Sequence, residues 1–99
     1  MESRKPWTNS DRPCAGVLIL IGQRAYALPW GQFVVAHGDD LSISAEWITH
    51  RVTFRGGGLM ELLGDISSQV VERVNVSARA DQFLSGPLIE AVEIEEIED

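Results

Sequence analysis

The stretch Ile48-Thr49-His50-Arg51-Val52-Thr53-Phe54-Arg55-Gly56-Gly57-Gly58 decides the reading of this chain. Up to Arg55 it alternates at the period of a strand with one buried face. After the three glycines, Leu59, Leu62, Leu63, Ile66 and Val70 recur at spacings of three and four, which is one apolar stripe on a helix. A strand that hands over to a helix through glycine predicts an α+β domain and marks where sheet and helix meet. Glu61 lies off the stripe near the start, where a carboxylate favours the helix dipole. Gly64 costs about 1 kcal/mol relative to alanine in a helix interior, so close packing or a weaker helix is expected there.

Just upstream, Leu41, Ile43, Ala45 and Trp47 alternate with Ser42, Ser44 and Glu46. Beyond Trp47 the apolar set moves to Ile48, His50, Val52 and Phe54. A period of two cannot slip by one without turning every side chain to the other face, so the shift requires a bulge or bend, or two strands with a sharp corner. Earlier still, Val17 to Ile21 is a continuous apolar run suited to a strand covered on both faces. Gly22-Gln23-Arg24 turns the chain into Ala25 to Leu28, which stops at Pro29. Gln32 to His37 forms a third strand, closed by the turn residues Gly38-Asp39-Asp40. Downstream, Val71 to Ser77 returns to the sheet, 78–86 is a loop, and Leu88 to Ile94 alternates again.

The expected architecture is a bent antiparallel sheet of five to seven strands with one main helix, about 58–70, packed on its concave face in the order β-β-β-β-α-β-β. Its core comprises Val17, Ile19, Ile21, Phe33, Val35, Ile43, Val52, Phe54, Leu59, Leu62, Leu63, Ile66, Val74 and Val76. Residues 1–13, rich in proline and polar residues, read as an irregular leader, 14–94 as a single domain and 95–99 as an acidic tail.

Composition narrows the function classes. A hydrophobic fraction of 44% and a charged fraction of 23% are those of an ordinary globular domain. The formal charge is −7, but residues 90–99 hold six acidic side chains and no basic one, leaving nine acidic against eight basic elsewhere. A nearly neutral body with an acidic end lacks the cation cluster that counterion release requires, so nucleic acid is not an expected partner. The longest apolar run is too short to cross a bilayer, and no membrane partner or secretory leader is expected. The single cysteine, Cys14, excludes an internal disulfide and fits a reducing, cytoplasmic setting.

Candidate sites are few. The amides of Gly57, Gly58 and Leu59 at a helix start, with Arg51 and Arg55 on the polar face leading to it, are the ligands a small anion would use. The glycines lack the lysine and hydroxyl residue of a phosphate loop, since Leu59-Met60 follow, and the plainer reading is a permissive turn. His37 and His50 fall on different strands with no spacing that makes them converge on a metal, and no neighbouring motif activates Cys14. No catalytic residue, metal site or cofactor is expected.

Trp7, Trp30 and Trp47 either plug the ends of a small core or form an apolar patch for a partner. Glu95, Glu96 and Glu98 either face water or present carboxylates to a basic partner. Glu90 and Glu93 are placed to pair with Arg51 or Arg55 across the sheet. The functional expectation is a small non-enzymatic protein-interaction module that associates with itself, as a homodimer, through an edge strand and the tryptophan-bearing end. The alternatives are an acidic inhibitor or immunity-type protein that masks a basic partner, and a small-anion-binding domain at the Gly56–Gly58 junction.

Overall fold

The structure is a computed structural model that describes residues 6–76 and 88–97. It is a mixed α+β fold: eight strands in two sheets, with one α-helix. The strands are β1 (Trp7–Asn9), β2 (Gly16–Ile21), β3 (Arg24–Pro29), β4 (Phe33–Gly38), β5 (Ser42–Trp47), β6 (His50–Gly57), β7 (Val71–Val76) and β8 (Leu88–Glu96). A single 3₁₀ turn, Trp30–Gln32, separates β3 from β4, and the helix α1 (Met60–Ser67) lies between β6 and β7. One sheet has the order β1-β7-β2-β3 and the other β4-β5-β6-β8.

The single antiparallel sheet expected from the sequence is therefore corrected to two. The reason is coverage. Of the helix residues only Leu62 and Ile66 are fully buried, with Leu59 just ahead of them, and so short a stripe cannot shield the apolar faces of eight strands. A second sheet does so instead: one hydrophobic cluster draws Val17, Ile19 and Val74 from the first sheet, Ile43, Val52 and Phe54 from the second, and Leu62 and Ile66 from the helix. The pairing is also not wholly antiparallel, because β7 lies parallel to β2. A parallel neighbour needs a long crossover, and the whole second-sheet meander plus α1 intervenes between these two strands.

The phase shift at Trp47 resolves as a tight hairpin. Glu46 opposes Arg51, so β5 and β6 are antiparallel neighbours joined through Ile48 and Thr49, and Ile48 is exposed. Another shift was invisible in the pattern. On β4, Phe33 opposes Trp47 but Val35 opposes Glu46, so Val34 is an inserted residue and β4 carries a bulge. The bulge turns Val35, an expected core residue, to the outer face beside Glu46, and brings Ala36 inward opposite Ala45. Ile21, Phe33, Leu63 and Val76 are partly buried against the core. Leu28, Ala45, Val71, Ile89 and all three tryptophans are core residues beyond those expected.

Trp7–Asn9, read as irregular, forms β1 against β7 with Trp7 opposite Val74. The tryptophan is buried, and its indole N–H donates to Asp65 Oδ2 at 2.9 Å, as does the Asn9 amide at 2.8 Å. An aromatic anchor with a satisfied polar end holds a three-residue strand that propensity alone would leave frayed. The rest of the expected leader and the loop placed at 78–86 lie outside the described residues, apart from Pro6 and residues 10–13.

Of the three glycines, only Gly58 is a turn residue, with φ of 68°. Gly56 and Gly57 belong to β6. Gly56 has a different necessity: a Cβ there would lie 1.8 Å from the Leu88 carbonyl oxygen, where β8 crosses close at an irregularity in the ladder. The helix is shorter than the stripe suggested because Gln69 takes the left-handed conformation, φ 59°, and donates its N–H to Ile66 O at 2.9 Å. Replacing Gln69 with glycine removes that backbone strain without touching the amide. Urea denaturation of Gln69→Gly is expected to show a gain of up to about 1 kcal/mol. Gly56→Ala is expected to lose stability in the same measurement, because β6 and β8 must separate to admit the methyl group.

Candidate functional site

The helix start was the place to look for an anion, and the protein supplies its own. Asp40, in the turn between β4 and β5, accepts from the Gly58 amide through Oδ2 at 3.2 Å and from the Met60 amide through Oδ1 at 3.3 Å. Its backbone carbonyl accepts from the Leu59 amide at 3.0 Å. A carboxylate thus occupies the amides that a phosphate would need. Gly57 is paired in the β6–β8 ladder opposite Leu88. The arginines are engaged as well. Arg51 lies 3.2 Å from Glu46 and 3.5 Å from Glu95, and Arg55 lies 3.8 Å from Glu93. These residues project from the outer face of the second sheet, where each exposed pair contributes only about 0–1 kcal/mol. Arg51, Arg55, Gly57, Gly58 and Leu59 are therefore not assembled into an open anion site.

The tryptophans are also committed elsewhere. Trp30, Phe33 and Trp47 form a closed aromatic triangle with ring centroids 5.3–5.4 Å apart, filling the junction where the chain passes from one sheet to the other. The Trp30 indole N–H donates to Val71 O at 3.1 Å. Trp7, Trp30 and Trp47 are each no more than 3% exposed, so none presents a surface for a partner. Burial of this much aromatic area is what closes the core of a short chain. Glu95 and Glu96 lie exposed on β8, Glu95 facing Arg51, and Glu98 is outside the described residues.

His37 stands on the outer face of β4, opposite Ser44, while the His50 ring is 2.7 Å from the Thr49 hydroxyl at the other end of the sheet. Among the described residues no three of His, Cys, Asp and Glu gather as a metal ion would need. The Cys14 thiol is held near the carbonyls of Gly16, Gln69 and Val71, at 3.5–3.6 Å. Two clefts among the described residues are open. One, of about 390 Å³, is an apolar trough over Leu18, Ala27 and Pro29, and the other, of about 640 Å³, lies between the β2–β3 turn and β8. Among the described residues no helix is long and apolar enough to cross a membrane.

What the sequence reading missed is the outer edge of β4, which pairs with no strand among the described residues. Among the described residues the exposed large hydrophobic ones are Val34 (58%), Val35 (44%), Leu41 (66%), Ile48 (63%) and Met60 (54%). Val34 and Val35 lie on β4 itself. Ile48 is at its beginning, with its amide bonded to Gln32 O at 2.9 Å. Leu41 and Met60 flank Asp40 at its other end. All five thus belong to one terminal strand and its two ends.

The other terminal strands are guarded by familiar devices. β1 is three residues long, β3 begins with Arg24 and ends with Pro29, and β8 carries Glu90, Glu93, Glu95 and Glu96. β4, Phe-Val-Val-Ala-His-Gly, has no charged residue and no proline; past the bulge Val35–His37 pairs in regular register, Gly38 takes a φ of 154°, and α1 packs beside the strand. The absence of charge from Gln32 to Gly38 was the signal available in the sequence.

The capped helix start generates a test. Melting temperature in phosphate is expected to equal that in chloride at matched ionic strength for the wild type. Asp40→Ala is expected to lose about 1 kcal/mol of stability, within the range of helix-cap removal. It should also gain a phosphate-dependent rise in melting temperature that the wild type lacks. Comparison with protein-family models, curated proteins and solved structures finds no match to this chain.

Proposed function

We propose that this chain is a small protein-interaction module whose contact surface is the β4 edge. The observation that carries this reading is that, among the described residues, all five exposed large hydrophobic residues lie on that strand or beside its ends. A partner lying along the edge would remove part of this apolar area from water, at a gain of roughly 25 cal/mol per Å² covered. The outward backbone groups of the strand supply direction, since a terminal strand pairs with any extended segment brought beside it. The tryptophan side chains are buried and take no part in this surface, although Ile48 beside Trp47 does. The acidic strand β8 is a weaker support for a basic partner, because Glu93 and Glu95 already face Arg55 and Arg51.

Capture from an extract of the source cells, with the bound proteins identified by mass spectrometry, tests the reading. Wild-type protein is expected to retain at least one species, the untagged chain itself counted among them. The double variant Val34→Lys, Val35→Lys is expected to lose it while keeping the melting temperature within a few degrees, because both residues are exposed. Identical sets for wild type and variant would refute the proposal.

A further inference from the structure

We infer that the segment laid along β4 is β4 of a second copy, paired antiparallel about a two-fold axis at Ala36. This inference rests on the reading of β4 as the contact surface and goes further by naming the occupant and the register. Charge is the first argument. The chain carries a formal charge of −7, and much of its excess acidity lies on β8 and the residues after it. In the sheet order β4-β5-β6-β8, the acidic edge is the one opposite β4.

Joining two copies through β4 gives an eight-stranded sheet with the two β8 strands at its far ends. They are then seven strand spacings apart, about 34 Å, several times the Debye length of about 8 Å at physiological ionic strength. Two copies joined through β8 would instead set glutamates against glutamates. Pairing β4 of one copy with β8 of the next would leave free edges and propagate as a filament. Of these sheet-extending contacts, only β4 with β4 is both closed and uncharged.

The register follows from the ladder. Asp39 donates its amide to Ser42 O at 2.8 Å, so it points toward β5. Orientation alternates along an antiparallel pair, and the regular register from Val35 to Gly38 gives His37 and Val35 the same direction. The N–H and C=O groups of Ala36 therefore face away from β5. A two-fold axis at Ala36 pairs Ala36 with Ala36 of the second copy, with the bulge at Val34 and the φ of 154° at Gly38 bounding the contact. Val35 comes opposite the second copy's His37 on the outer face. Val34 and Ile48 add apolar cover beside the strand.

Sedimentation equilibrium of the 99-residue chain across micromolar to millimolar concentration tests this. The wild type is expected to rise from 10.9 kDa toward twice that mass. Val35→Lys places an ammonium in the apolar contact and is expected to raise the dimer dissociation constant by about two orders of magnitude. Ala36→Pro removes an outward N–H that β5 does not use, and is expected to keep the far-ultraviolet spectrum while remaining monomeric. Ala25→Lys, on the β3 edge, is expected to associate as the wild type does. A wild type that stays monomeric to millimolar concentration overturns the inference, as does a dimer that survives both β4 substitutions. If the wild type is monomeric yet still captures another protein that Val34→Lys, Val35→Lys loses, the second copy is wrong and the β4 contact surface stands.

Discussion

The fold is organised around two adjacent aspartates in the turn after β4. Asp39 accepts from the amides of Leu41 and Ser42 at 2.9 and 3.0 Å and so shapes the reversal into β5. Asp40 reaches forward to the amides of Gly58 and Met60 and caps the helix. One dipeptide thereby sets the hairpin of the second sheet and the position at which the chain leaves that sheet. A carboxylate at a helix start is favoured by the orphan amides and by the dipole, and here it comes from another element, so the cap is also a tertiary tie. Without it the Gly58 turn would have little to fix its direction.

At the other side of the helix, Asp65 does the corresponding work for the first sheet. It accepts from Trp7 and Asn9, holding β1 against α1. The helix is therefore bracketed by carboxylates: Asp40 ties its start to β4 and β5, and Asp65 ties its body to β1. Between them the Trp30–Phe33–Trp47 triangle fills the passage from β3 to β4. These contacts explain why eight strands and one helix of modest length close around one core. They also explain why the most conspicuous side chains in the sequence have no surface role. Tryptophan and glycine-flanked helix starts are common at binding sites, and in this protein both are consumed by packing and capping.

Where β8 is guarded by charge, β4 has no charged residue and only α1 packed beside it. The exposed valines and the uncharged backbone edge are set by a bulge of one residue, Val34, which turns Val35 outward. A regular β4 would have put Val35 in the core and left Ala36 outside. The bulge thus gives the outer face of β4 its apolar character, and the separation of β4 from β8 across the sheet keeps that edge clear of the negative charge.

Much of the strand content was legible because local pattern and burial agreed. Val17, Ile19, Val52, Phe54, Leu59, Leu62 and Ile66 fall on the expected phases and are buried. The turn at Gly22-Gln23 and the break at Pro29 were equally plain, since glycine conformation and a missing amide act within a few residues. The number of sheets, the parallel pairing of β7 with β2 and the ordering of Trp7–Asn9 were not legible, because each depends on partners tens of residues away. The candidate anion site failed for the same reason: only the folded chain brings Asp40 eighteen residues back to Gly58. By itself the sequence determined which segments are strand and helix and which faces are apolar, because those are properties of spacing. The tertiary structure alone decided which edges remain open and which charged groups meet, because those depend on the order in which strands are laid side by side.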